Sequence, residues 1–378
     1  MENFSYVKTT HTFKAIKGED LRLDVLCSPE PQAQKKPAIL FFHGGYVITG
    51  DRQGYPRWLP TEAIRRGWTF ISADYRCLPE STGHEVIADC VDAYLYVSRI
   101  LAKDIYSIDD NRIILAGGSG GGYCAVACAQ QLIRNYNHSQ RVASRNTDKY
   151  THFPRPAAVL ALYPMVDLLS SWWTAESHED STLSAKKMEL VQTKIRHRIA
   201  NENFSFGEMF AETDEEVYEQ PRWELVRYIL QSATFADHLT GIDGLCEKLA
   251  SKSISSSMQI HQEKTSSPES YEQLKSDLVP ENARKLFPVD FDNMSSEFPP
   301  LFVVHGQGDR DVPLEDSKVL VSRCHQLNVP VQYWWLEGLD HCFDFEYSDL
   351  ENSTVGINDV GLVGLKSIVS ALESLVGI

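Results

Sequence analysis

The stretch Arg112-Ile113-Ile114-Leu115-Ala116-Gly117-Gly118-Ser119-Gly120-Gly121-Gly122-Tyr123 decides the fold. It opens on a continuous apolar run, the pattern of a strand covered on both faces, and passes through glycines into the helical pattern Tyr123–Ile133. Within it, Gly117-x-Ser119-x-Gly121 has the spacing of a strained strand-to-helix turn that lifts a serine hydroxyl clear of a sheet. The flanking glycines remove Cβ atoms that would clash. The helix N-terminus brings free N–H groups and a positive dipole end close to a developing oxyanion. A phosphate cradle competes, because Gly120-x-Gly122-x-x-Ala125 fits a loose dinucleotide fingerprint. That reading needs a strand ending in an acid about 20 residues on. The stretch Arg134–Tyr150 is polar and has no strand character.

On either side, short β-rich runs alternate with helical patterns, the signature of an α/β sheet. The expected strands are Thr9–Ile16, Leu21–Leu26, Ala38–Phe42, Thr69–Asp74, Arg112–Ala116, Ala158–Leu162, Leu301–His305 and Val331–Leu336. The first two form an antiparallel start. Amphipathic stretches at Val86–Leu101, Tyr123–Ile133 and Leu314–Leu327 supply helices, and Asp359–Val376 closes the chain as another. The connection 168–298 is far longer than the roughly dozen residues a crossover needs, and a structureless loop of that length does not suit a compact domain. Ala185–Ala200 and Glu215–Phe235 have helical patterns, whereas Ser251–Ser276 is Ser-, Lys- and Glu-rich and reads as flexible. The expected organisation is a core of residues 1–167 and 299–378, with residues 168–298 as a helical cap inserted after the sixth strand.

Three further motifs lie beyond strand ends. His43-Gly44-Gly45-Tyr46 follows Ala38–Phe42, and N–H groups in such a turn can face an oxyanion. The donors would be Gly45 or Tyr46, together with Gly120 after the serine; His43 reads as structural. His305-Gly306-Gln307-Gly308-Asp309 follows Leu301–Val304, and an acid there can orient a histidine. A turn or helix cap is the simpler reading of Asp309 alone, and Asp311 and Asp167 compete with it. His341 lies in the loop after the last strand, where it can reach over the sheet edge. The order Ser119, Asp309, His341 settles the weighing, since it is the chain order of one recurring serine-nucleophile fold.

On these motifs, together with Asp74-Tyr75-Arg76-Cys77-Leu78-Pro79-Glu80 and Val312-Pro313, the chain resembles the hormone-sensitive-lipase-like ("fold-3") esterase branch of the α/β-hydrolases. The resemblance covers roughly Lys35–Asp167 and Glu297–Val376. It implies an α/β-hydrolase fold, a mostly parallel sheet flanked by helices, with Ser119, Asp309 and His341 as the catalytic triad. It further implies Gly45, Tyr46 and Gly120 as the oxyanion hole, cleavage of a carboxylic ester or related acyl compound, and no cofactor. Two departures stand out. Tyr46 replaces the usual third glycine, and Arg76-Cys77-Leu78-Pro79-Glu80 replaces the usual Arg-Leu-Ala-Pro-Glu. Tyrosine after two glycines also resembles arylformamidases, so an amidase remains open, as do an acyltransferase or product-releasing enzyme of specialised metabolism and a non-catalytic ligand receptor.

Composition excludes other classes. The 378 residues carry 36 Lys and Arg against 52 Asp and Glu, a net charge of −16, which disfavours nucleic acid and anionic membrane partners. Eight cysteines are too sparse for a disulfide scaffold, and Cys90, Cys124 and Cys128 read as core. Met1–Gly18 lacks the apolar core of a secretory signal, and the apolar stretch around Ala157–Val166 is too short for a membrane span. Sequons such as Asn3-Phe4-Ser5 and Asn203-Phe204-Ser205 then read as chance, and a reduced, cytoplasmic compartment is expected. No His, Cys, Asp or Glu group has metal spacing, and no carboxylate pair stands out for glycosidase chemistry. Thr213-Asp214-Glu215-Glu216 reads as a helix start. Trp172, Trp173 and Trp223 either line a pocket or anchor the insert. The expected partner is a small acyl substrate, and a homodimer is compatible with this reading.

Overall fold

The expected apolar runs form strands because helices cover both of their faces. In the computed structural model the described residues are 5–30, 33–103, 106–143, 153–175, 183–201, 205–211, 213–251, 269–353, 356 and 358–376. Eight strands make one sheet: β1 (Val7–Ile16), β2 (Glu19–Cys27), β3 (Lys36–Phe42), β4 (Thr69–Ala73), β5 (Ile108–Gly118), β6 (Ala158–Leu162), β7 (Leu301–Gly306) and β8 (Val331–Leu336). Their order is β1-β2-β4-β3-β5-β6-β7-β8. β1 pairs antiparallel with β2, and β2 antiparallel with β4. All other pairings are parallel.

Strand alternation divides the core in two. Leu40, Phe42, Ile113, Leu115, Val159 and Val303 face α2 (Gly83–Arg99), α3 (Gly120–Ala143) and α12 (Leu314–Gln326). Ile39, Phe41, Ile114, Ala116, Leu160 and Phe302 face α1 (Trp58–Arg65) and α13 (Val360–Val376). Cys90, Cys124 and Cys128 are buried, and all eight cysteines are free thiols. Helix α1 escapes the sequence pattern. It is short, with Pro60 as its third residue, a position where proline is tolerated because the first-turn N–H groups lack partners anyway.

Between β6 and β7 the chain forms α4 (Ser171–Thr174), α5 (Ala185–Ala200), α6 (Asp214–Glu219), α7 (Pro221–Gln231), α8 (Phe235–Thr240), α9 (residues 245–251), α10 (Glu269–Leu278) and α11 (Glu281–Arg284). The expected helix Glu215–Phe235 is three pieces. Pro221 opens α7 at its first turn, and Ala233, at φ +49°, separates α7 from α8. Thr213 starts α6 as expected, its hydroxyl accepting from Glu216 N at 3.3 Å. Of the polar run Ser251–Ser276, residues 252–268 lie outside the described residues, while Glu269 onward is helical in α10. The expected sequons at Asn3 and Asn203 also lie outside them.

The segment is fastened to the rest of the chain by side chains. Arg222 on α7, 4% exposed, donates to both Glu80 oxygens (2.9 and 3.1 Å) and to the carbonyls of Ile48 and Leu78 (2.5 Å each). Arg198 on α5 meets the same Glu80 at 2.7 Å. From the core, Tyr123 and Gln130 on α3 donate to the carbonyls of Leu286 and Pro288.

Candidate active site

At the end of β5 the backbone turns so sharply that side chains have no room. A Cβ at Gly117 would lie 2.1 Å from Gly121 O, and one at Gly121 would lie 2.0 Å from Phe42 O. Ser119 between them sits at φ +55°, a left-handed conformation that costs a non-glycine residue about 1–2 kcal/mol. Its neighbours hold it there. Ser119 N donates to Leu162 O (2.9 Å), and Ser119 O accepts from Gly122 N (2.9 Å) and Met165 N (3.3 Å). The serine is thereby fixed at the first turn of α3, whose leading N–H groups have no partner within the helix.

The Gly45–Val47 loop packs against this turn. Gly45, Tyr46 and Val47 all have positive φ (93°, 57° and 61°), and Gly45 O accepts from both Ile48 N and Thr49 N at 2.9 Å. Tyr46 N lies 3.1 Å, and Val47 N 2.7 Å, from where a Gly120 Cβ would be. The backbone amides of the two motifs therefore converge beside Ser119. His43 is structural, as its sequence position suggests. Its ring stacks on Tyr75 at 4.1 Å, its Nδ1 lies 2.9 Å from Gly44 O, and burial pulls its pKa down to about 4.

Asp309 and His341 meet across the end of β7. His341 Nδ1 donates to Asp309 Oδ2 at 2.7 Å, while Asp309 Oδ1 accepts from Asp311 N (2.9 Å) and Val312 N (2.8 Å). Burial alone would raise the Asp309 pKa, but hydrogen bonds from His305 and His341 outweigh it and hold the carboxyl well below the usual range. For His341, burial disfavours the imidazolium. The adjoining Cys342 sulfur and the Asp309 carboxylate prevail and keep its pKa above the ordinary histidine value. Of the competing acids, Asp311 accepts from the Tyr46 phenol at 2.8 Å, while Asp167 follows β6, its main-chain N–H donating to Asp316 at 3.1 Å.

Ser119 and the Asp309–His341 pair flank Tyr163, the residue after β6. The Tyr163 ring lies 3.2 Å from where a Gly118 Cβ would be and stands 4.7 Å, at 62°, from the His341 ring. The hydrogen bonds of the described residues do not include one from the Ser119 hydroxyl to His341. Sequence reasoning missed three supporting residues, Tyr163, Asp344 and His305. Tyr163 donates to Asp344 Oδ1 (2.5 Å), which also takes Trp58 Nε1 on its other oxygen (3.0 Å). His305 is a second histidine on the acid, with Nε2 3.1 Å from Asp309 Oδ2 and Nδ1 2.7 Å from Ser317 Oγ. The only signal for it was its place four residues before Asp309 in the quoted motif. Trp173 is 2% exposed, packs on Phe235, and donates to Asp316 at 3.3 Å, so it anchors the insert. Among the described residues no group of three or more His, Cys, Asp or Glu could hold a metal ion, and no helix is long and apolar enough to cross a membrane.

Residues 39–212 match the family model for the alpha/beta hydrolase fold. Lipase 2 of Moraxella sp. (strain TA144) is 30% identical over 167 residues, which cover 41% of this chain and 38% of the lipase. The non-reducing polyketide synthase Preu3 of Preussia isomera is 24% identical over 366 residues, 92% of this chain but 13% of the synthase. The chain thus spans well under half the length of these curated relatives. An alpha/beta hydrolase superfamily protein from Enterococcus faecalis, known from its crystal structure, aligns with a TM-score of 0.59 at 16% identity, covering 98% of this chain and 100% of that one. The strand order, the turn at Ser119, the family match over residues 39–212 and the likeness to the Enterococcus faecalis protein agree: this chain has the α/β-hydrolase fold.

Proposed function

We propose that the protein is a serine hydrolase that cleaves a carboxylic ester or related acyl compound. The observation that carries this reading is the Asp309–His341 hydrogen bond at 2.7 Å, with the Tyr163 ring packed between this histidine and the turn that holds Ser119 at φ +55°. Ser119 Oγ attacks the acyl carbonyl as His341 Nε2 takes its proton. Asp309 keeps the histidine proton on Nδ1 and stabilises the imidazolium. The N–H groups of Gly45, Tyr46 and Gly120 receive the oxyanion, each worth about 3 kcal/mol in comparable sites. The alcohol leaves with the proton held by His341, and water then opens the acyl-enzyme by the reverse sequence. Neither stage calls for a metal or cofactor. The helices of residues 168–298 act as a cap domain over the acyl or leaving group and select what enters.

A fluorophosphonate labelling assay tests this, run beside a p-nitrophenyl ester series of increasing acyl length. Ser119→Ala should lose labelling and lower kcat by several orders of magnitude with the fold intact. Turnover within about tenfold of the parent would remove Ser119 as nucleophile. A ligand receptor would instead keep its binding in Ser119→Ala and show no product burst. The likeness of 92% of this chain to part of a polyketide synthase favours a second reading, in which the acyl-enzyme is opened by an alcohol or amine as an acyl transfer or product-release step. Product analysis with added nucleophile separates the two.

A further inference from the structure

The most unusual residue in the site is Tyr46, where a glycine was expected. Its amide lies beside Gly120 and its phenol reaches away toward the acid loop. We propose that the Tyr46 side chain is a positioning residue: its phenol, anchored on Asp311, holds the Tyr46 main-chain N–H in the direction that receives the oxyanion. This rests on the hydrolase reading above.

Two consecutive non-glycine residues, Tyr46 at φ +57° and Val47 at φ +61°, adopt the left-handed region. Each costs about 1–2 kcal/mol, so a loop of this shape persists only where its surroundings hold it. Glycine would adopt these angles without penalty but would leave the amide free to turn. In Tyr46 the hold comes from the side chain. The residue is 5% exposed, and its ring stands edge-on to Trp173 (6.4 Å) and Trp223 (6.0 Å). The hydroxyl donates to Asp311 Oδ1 at 2.8 Å. Burial, and then the neighbouring Asp311, raise the phenol's pKa well above its ordinary value, so it remains a donor.

The acceptor matters as much as the donor. Asp311 is two residues past Asp309, and its own N–H donates to Asp309 Oδ1 at 2.9 Å. One hydrogen bond therefore links the loop that carries the oxyanion donor to the loop that carries the acid. Both loops otherwise depend on separate strands, β3 and β7, which are not neighbours in the sheet. A shift of about 1 Å in a reacting geometry can cost about a hundredfold in rate.

The test is a double-mutant cycle on Tyr46→Phe and Asp311→Leu, with Asp311→Asn and Ser119→Ala in the same series. Phenylalanine removes one oxygen and keeps the packed ring. We expect Tyr46→Phe and Asp311→Leu each to lower kcat for p-nitrophenyl acetate by roughly tenfold to a hundredfold, with KM nearly unchanged. The double variant should be no worse than the poorer single variant. Asp311→Asn keeps an oxygen that accepts from the phenol and should restore most of the rate. Affinity for an aliphatic trifluoromethyl ketone, which forms a hemiketal oxyanion on the serine, should fall in step with kcat, while the acid limb of the pH profile stays in place. Unchanged kcat in Tyr46→Phe, a rise confined to KM, or additive losses would each overturn the proposal. Should Asp311→Leu fail to fold, Tyr46→Phe and the ketone affinity decide alone. If Ser119→Ala is inactive while Tyr46→Phe matches the parent, only the positioning role falls. Activity in Ser119→Ala brings down the hydrolase reading itself.

Discussion

The strand ends that carry Ser119 and the helical segment between β6 and β7 are held by different forces. Around Ser119, backbone packs on backbone: Gly117 and Gly121 leave no space for a Cβ, and main-chain hydrogen bonds fix the turn. The segment between β6 and β7 meets the core through side chains: Leu225, Ile229, Phe235 and Phe287 join the apolar cluster on one sheet face, Arg222 and Arg198 hold Glu80, and Trp173 holds Asp316. Backbone packing gives the Ser119 main chain a geometry that rotamer changes cannot loosen. Tyr46 belongs to both regions, its amide at the turn and its ring among the tryptophans of the insert.

The largest effect expected from breaking this division is at the strand ends. Asp309→Asn keeps the shape but favours the wrong histidine tautomer, and kcat should fall about 10⁴-fold, while Asp167→Asn stays within a few-fold of the parent. An equal loss at Asp167 would place the acid at the insert boundary. On the proposed mechanism the parent should also show a rate that rises with pH, because His341 can take the serine proton only when it is unprotonated. Its raised pKa places that rise above pH 6.5. In Asp309→Asn the rise should move downward, since the partner that favours the imidazolium is gone.

A smaller loss is expected where side chains fasten the insert. Arg222→Met leaves Glu80, a carboxylate with a fully buried side chain, with Arg198 as its one remaining ion-pair partner among the described residues. Removing one partner of a buried pair costs about 3–5 kcal/mol, to be read as a lower urea midpoint. A change below about 1 kcal/mol would mean that the insert is held by apolar packing instead.

The smallest effect lies at the junction. Asp316 on α12 is 1% exposed and accepts from Val166 N (2.8 Å), Asp167 N (3.1 Å) and Trp173 Nε1 where the chain leaves β6. Burial, against these hydrogen bonds, raises its pKa to about 7. Its folded pKa is above its unfolded value, so the native state binds the extra proton between about pH 4 and pH 7 and stability falls as pH rises through that window. Asp316→Asn keeps an accepting oxygen and cannot ionise. It should lose that slope and gain about 1–3 kcal/mol on the parent by pH 8, measured as urea midpoints across pH. Parallel pH curves for the two proteins would show that Asp316 does not titrate in this range.

All eight strands and the serine turn were legible in the sequence, because each depends on local pattern. Strands buried on both faces read as apolar runs, and a turn that excludes Cβ atoms reads as glycines around one serine. Helix α1 and the breaks at Pro221 and Ala233 were not legible, since short helices carry little periodic signal and their ends follow what they pack on. Chain order did not choose among Asp167, Asp309 and Asp311, since all three lie between Ser119 and His341. Only the tertiary structure sends Asp309 to His341 and Asp311 to Tyr46. The same holds for His305, Tyr163 and Asp344, which join the site from separate parts of the chain. Local backbone preference and burial pattern act over a few residues and can be read along a chain. A hydrogen bond across 265 positions, such as that from Tyr46 to Asp311, exists only once the sheet has brought two loops together.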